Sequence, residues 1–153
     1  MAAGSPDTLR QGSPRRIGQL DGQLARPQGD LWEIPFAGED LYELRQLLAG
    51  WATREAMSEQ GVDELVLSVH EIASNSVRHG GGTGMLRLWR TGDALICEVQ
   101  DAGQIEDPSA GRVAPGGSSL EGRGLWIANQ LCDVVQIRSG EDGTQVRLHK
   151  RLV

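Results

Sequence analysis

Glu71 and Asn75 stand four residues apart in the stretch Glu71-Ile-Ala-Ser-Asn-Ser-Val-Arg-His79-Gly80. On a helix that spacing puts a carboxylate and a carboxamide on one face. Such a pair can share one small hard cation, or one group can orient a water while the other holds the metal. Three short motifs follow in order. Asp101-Ala102-Gly103 closes an apolar stretch. A carboxylate there, with a glycine that lets a ligand approach the backbone, suits an exocyclic amine donor. Gly122-Arg123-Gly124-Leu125 precedes an apolar helical run. Glycines at a helix start free backbone N–H groups to point at an anion, and the helix field favours it. Gly122 and Gly124 are therefore candidate polyphosphate contacts, with Arg123 either an assisting cation or a plain surface arginine. Gly143-Thr144 is the last motif. The glycine motif lacks the Lys-Ser/Thr pair of a P-loop and the strand-turn-helix context of a dinucleotide fold. His70-Glu71 does not open a zincin motif, because Ser74 stands where the second histidine is needed.

The elements that must carry these residues follow from hydrophobic period. Val62, Val66, Val69, Ala73 and Val77 recur at three and four, so a helix capped by Asp63 is expected, with Glu71 and Asn75 off its buried stripe. The run Gly80-Gly-Gly-Thr-Gly84 ends it. Upstream, Leu31 to Phe36 reads as a strand with Trp32, Ile34 and Phe36 on one face, and Glu39 to Glu59 as a helix with a stripe of Leu41, Leu44, Leu47, Leu48 and Trp51. Met85 to Arg90 and Ala94 to Gln100 read as a hairpin turning at Thr91-Gly92-Asp93. Residues 104 to 121 have no period; a loop of that length between two phosphate-site candidates is expected to be a lid. Leu125 to Leu131 reads as a short helix, and Val134 to Ile137 and Gln145 to Leu148 as closing strands joined by Gly140-Glu-Asp-Gly143. Residues 1 to 30, rich in Gly, Pro, Gln, Ser and Arg, are expected to be a disordered tail, followed by one domain over residues 31–153. Arg10, Arg15, Arg16 and Arg26 are scattered through that tail.

Taken together the four motifs resemble the N, G1, G2 and G3 boxes of the GHKL ATP-binding fold, shared by gyrase B subunits, the Hsp90 chaperone, MutL and histidine-kinase ATPase domains. The branch they resemble most is the single-domain anti-sigma-factor serine/threonine-protein kinases of bacterial partner-switching systems. The resemblance runs from about Leu31 to Leu152. It implies a two-layer α/β sandwich of Bergerat type, with a mixed, mostly antiparallel sheet covered on one face by helices and ATP lying between helix and lid. It implies ATP and Mg2+ as ligands. Asn75 would be the magnesium ligand and Glu71 the general base for an attacking hydroxyl. Asp101 would accept from the adenine amine beside Gly103. Gly122, Gly124 and Leu125 would line the phosphates, and Thr144 would contact the adenine side. His79, at the last N-box position, would approach the phosphates or simply sit at a helix end stabilised by the dipole. The implied partners are a sigma factor and an anti-sigma-factor antagonist phosphorylated on Ser or Thr, with a homodimer formed through the sheet or the first long helix. The family often has a second glycine two residues after the first in G1; Ile105 stands there. His70 abuts the N box, whereas the phospho-acceptor histidine of histidine kinases lies in a separate upstream hairpin, for which the irregular first 30 residues offer no pattern. Two other readings stay open: an interaction module that holds ATP only as a structural ligand, and a detached ATPase module of a multidomain sensor.

Composition narrows the field. The 153 residues suit one domain with one core. Apolar residues make up 39% of the chain and none of their runs is long enough to span a bilayer. The first 30 residues lack the apolar centre of a signal peptide, so a cytoplasmic protein without a membrane partner is expected. A net charge of -6 with no basic cluster beyond the tail argues against direct nucleic-acid binding. Cys97 and Cys132 lie in apolar stretches and are expected to be reduced, buried thiols.

Overall fold

The computed structural model describes residues 17–19, 29–103 and 121–153, with backbone alone for residues 17–19, 121 and 122. The rest of the expected tail, with its four arginines, and the expected lid with Ile105 lie outside the described residues. Strands β1 (Ile17–Gln19), β2 (Trp32–Ala37), β3 (Thr83–Thr91), β4 (Ala94–Asp101), β5 (Val134–Gly140) and β6 (Gly143–Arg151) form one sheet in the order β1-β5-β6-β4-β3-β2. Every pairing is antiparallel except that of β1 with β5. Helices α1 (Leu41–Arg54), α2 (Glu59–His79) and α3 (Glu121–Leu131) supply the second layer. This is a two-layer α/β sandwich with a mixed, mostly antiparallel sheet, as expected. Ile17–Gln19 adds a short strand from within the stretch expected to be irregular.

Period-2 alternation divides the sheet's faces. Leu86 and Leu88 of β3, Leu95, Cys97 and Val99 of β4, Val135 and Ile137 of β5, and Val146 and Leu148 of β6 join one core with Leu44, Leu48, Leu65, Val69, Ile72 and Leu125 of the helices. Burying each large aliphatic side chain contributes about 1.5–3 kcal/mol, and the shared core fixes the two layers in register. On the opposite face the cross-strand row Arg87, Glu98, Arg147 carries charge. Glu98 is 2% exposed and accepts from Arg87 Nη1 at 3.0 Å and from Arg147 Nε and Nη2 at 2.9 and 2.6 Å. Arg147 also stacks 4.8 Å from the Trp89 ring centre. At its centre that face is buried: Trp89 is 4% and Ile96 1% exposed.

Helix boundaries differ from expectation at the end of α1, at the start of α2 and at the start of α3, which begins at Glu121 rather than Leu125; the first two have local reasons. The helix expected over Glu39 to Glu59 ends at Arg54, because Ala56 takes a left-handed conformation (φ 67). There Met57 N–H returns to Ala52 O at 3.1 Å, as in a Schellman ending. No glycine marks that stop. Helix α2 begins earlier than Asp63: Ser58 is its N-cap, its hydroxyl accepting from Gly61 N–H at 3.0 Å. The buried side of α2 is wider than the expected stripe: Val62, Val69 and Ala73 are buried as expected, Leu65, Ser68, Ile72 and Ser76 join them, and Val66 and Val77 are only partly buried.

Candidate functional site

The site gathers where the C-terminal half of α2, the end of β4, the start of β6 and the first turn of α3 meet. Glu71 and Asn75 lie half-buried on α2, one turn apart, as their spacing requires. Gly124 of α3 packs against both: a Cβ there would stand 2.8 Å from Asn75 Nδ2 and 3.3 Å from Glu71 Cβ. The two glycines of this motif are not in a loop before the helix. Helix α3 starts at Glu121, so Gly122 and Gly124 form its first turn, whose leading N–H groups have no intrahelical acceptor. Leu125, 4% exposed, turns into the core, and Arg123 is exposed.

Asp101 ends β4 with both carboxylate oxygens held by the chain. Ser76 Oγ donates to Oδ2 at 2.6 Å and Gly103 N–H donates to Oδ1 at 2.7 Å. Each oxygen keeps a lone pair for a further donor. Glycines let the carboxylate sit there. A Cβ on Gly80 would fall 2.4 Å from Asp101 Cγ, and one on Gly103 would fall 2.7 Å from Gly80 Cα and His79 O. The space that Gly103 leaves is thus used first by the end of α2. Gly143 (φ 111) abuts the Asp101 carbonyl, which a Cβ there would meet at 2.1 Å. Thr144, across from Asp101 in the β4–β6 register, is 4% exposed. Its hydroxyl donates to Gly103 O at 2.8 Å, so Ser139 Oγ, also at 2.8 Å, is the donor to Thr144. Thr144 therefore braces the Asp101–Gly103 turn. His79 is exposed at the last position of α2.

Asn75 shows what the amide oxygen is suited to hold. Its Nδ2 faces Gly124, and its Oδ1 accepts from Arg78 Nη2 at 3.0 Å. A cation already sits on that oxygen. Among the described residues no group of three or more His, Cys, Asp or Glu gathers as a metal cage. One neutral hard oxygen without a cage fits Mg2+, which takes few protein ligands and completes its octahedron with phosphate oxygens and waters. Asn75 would hold it, and the ion would supply charge neutralisation on the phosphates.

Ser76, Gly80, Arg78 and Ser139 were not singled out by sequence reasoning. Only Ser76 carries a signal, a hydroxyl at a buried register of α2 four residues after Ile72. Arg78 reaches Asn75 three residues back on the same helix and Ser139 reaches Thr144 across the β5–β6 turn, whereas the role of Gly80 depends on the distant Asp101. His70, beside Glu71, has its pKa lowered by burial and then by Arg45, against the pull of Glu71. Cys97 and Cys132 are buried, and burial raises the Cys97 thiol well above its ordinary range. No described helix is long and apolar enough to cross a membrane.

The described geometry brings Glu71, Asn75 and Gly124 together, with Asp101, Gly103 and Thr144 beside them, at one end of the α/β sandwich. Residues 34–150 match the family model of the histidine kinase-like ATPase domain, and the chain belongs to that family. A search among curated proteins returned no match. Among solved structures the chain is similar to the RsbU and RsbW domains of Rv1364c from Mycobacterium tuberculosis, with 20% identity and a TM-score of 0.61. The match covers 82% of this chain and 33% of that one, so this chain spans about a third of its neighbour's length.

Proposed function

We propose that this domain binds ATP with Mg2+ between α2, the β4–β6 end and α3, and acts as a serine/threonine protein kinase that regulates an anti-sigma pathway by partner switching. The observation that carries the reading is Asp101. Its carboxylate is held by Ser76 and Gly103 at a strand end, one helix face away from Glu71 and Asn75. Asp101 would read the adenine amine, with Gly103 and Thr144 holding its turn. Gly122, Gly124 and the first turn of α3 would face the polyphosphate, with Arg123, Leu125 and His79 at its margin. Glu71 would take the proton from the attacking hydroxyl of a protein Ser or Thr, and position and charge neutralisation would supply most of the rate.

The family match supports nucleotide binding. The likeness of fold to a chain that contains an RsbW domain favours a place in partner switching. The sigma factor, the phosphorylated antagonist, the cytoplasmic setting and the homodimer are proposed from the resemblance of the four boxes alone. Calorimetric titration of MgATP on the wild type and on Asp101→Asn tests the site: saturable binding in the first and loss in the second is the expected result. Absence of binding by the wild type would sink the reading. Phosphate transfer to candidate antagonists, with Glu71→Ala beside the wild type, then separates kinase from module. A Glu71→Ala protein that binds ATP but transfers no phosphate supports the kinase. If that variant controls its partner fully, ATP is a structural ligand and the protein an interaction module.

A further inference from the structure

We propose that Lys150 is a positioning residue of the nucleotide site: it sets the register at which α3 lies on α2. The inference rests on the nucleotide reading above. Helix α3 runs antiparallel along α2. Near its start Gly124 meets Asn75 and Glu71. At its other end the Lys150 ammonium donates to Glu64 Oε1 of α2 at 2.6 Å and to the carbonyl of Leu131, the last residue of α3. Gly124 to Leu131 and Glu71 to Glu64 are matching spans of seven residues, each about 10.5 Å of helix at 1.5 Å per residue. One nitrogen from β6 thus ties the far ends of both spans together.

Lys150 is 9% exposed and the Glu64 side chain 28%, so the pair is part-buried. The Leu131 carbonyl belongs to the group that a helix C-terminus leaves without intrahelical donors, and a cation there is favoured by the helix field. Turning α3 by a single residue would carry Gly124 away from Asn75 and present Arg123 or Leu125 instead. A Cβ beside Asn75 Nδ2 would stand at 2.8 Å, so a side chain there would push the amide aside. Register, rather than the mere presence of α3, is what leaves the Asn75 amide in place. Lys150 acts on the site only through α3.

The test uses the full chain with Lys150→Met, Lys150→Arg and Glu64→Gln. It reads MgATP affinity by calorimetry and amide exchange over residues 125–131 against residues 62–73. In Lys150→Met the MgATP Kd is expected to rise about tenfold and exchange to quicken over 125–131 alone, because the donor that ties the end of α3 to α2 is removed. Lys150→Arg, which can still donate to both acceptors, should recover both values, and Glu64→Gln should fall between. Wild-type affinity in Lys150→Met would overturn the proposal. So would exchange that rises evenly over the whole chain without recovery in Lys150→Arg, the mark of a purely structural lysine. Should the wild type bind no MgATP, the nucleotide reading fails by itself. Exchange quickened only over 125–131 would then uphold the register clamp, and unchanged exchange would overturn it.

Discussion

Two buried serines on α2 make a paired experiment. Ser76 is 1% exposed and donates to Asp101 Oδ2 at 2.6 Å, 25 residues away in sequence. Ser68 is 0% exposed and donates at 2.8 Å to Glu64 O of its own helix. A hydrogen bond to a charged group contributes about 1.5–3 kcal/mol when its partner is left unsatisfied. Asp101 is half-buried and keeps its bond from Gly103 N–H, so water recovers part of that loss. Ser76→Ala should therefore cost about 1–2 kcal/mol, or roughly 2–8 °C in Tm at this chain length. Ser68→Ala removes a bond that only duplicates helix bonding and inserts the best helix former, so its change should stay within about 0.5 kcal/mol. Freed on one side, the Asp101 carboxylate can rotate, and MgATP affinity should fall about tenfold in Ser76→Ala, equivalent to about 1.4 kcal/mol, while Ser68→Ala binds as wild type. Thermal melts and calorimetry on the two variants decide it. Equal Tm shifts, or wild-type nucleotide affinity in Ser76→Ala, would refute the claim that Ser76 orients Asp101.

Two other expectations concern α3 and pH. Gly124→Ala removes a helix-interior glycine penalty of about 1 kcal/mol but places a Cβ 2.8 Å from Asn75 Nδ2. Stability by denaturant melt should stay within about 1 kcal/mol of wild type, whereas MgATP binding should drop at least tenfold by calorimetry; the reverse pattern would show that Gly124 serves packing alone. Burial first, and Arg147 second, push the His149 pKa from 6.5 down to about 4. The unfolded chain therefore takes up this proton first, so the contribution of neutral His149 is complete above pH 6.5 and is lost as pH falls from there to about 4. At about 1.4 kcal/mol per pH unit the loss reaches at most about 3–4 kcal/mol, and His149→Gln should flatten that part of a stability-versus-pH curve.

Much of this domain was legible along the chain because its signals are local. Period-2 alternation gave β2, the β3–β4 hairpin and the closing β5–β6 pair. A four-residue spacing placed Glu71 and Asn75 on one face of α2, and that face survives in the structure. The end of α1 was not legible, since Ala56 takes a left-handed turn without a glycine to announce it. The true N-cap was missed because Ser58 and Asp63 are both good caps by residue type; only the Gly61 N–H contact decides between them.

Local residue order also determined which chemistry was available: a carboxylate and an amide on one helix, an aspartate at a strand end, and two glycines at a helix start. What it could not determine was what those glycines are for. Gly80 and Gly103 give way to the Asp101 carboxylate and to each other, Gly124 gives way to Asn75, and Gly143 gives way to the Asp101 carbonyl. Each is a close approach between segments far apart in sequence, set by how the helix layer seats on the sheet. The same holds for the Glu98 ladder and the Lys150 clamp, whose partners lie 11 to 86 residues away. Short-range backbone preference writes the elements into the sequence, whereas burial in a shared core brings distant polar groups within hydrogen-bond reach, and only the folded chain contains that information.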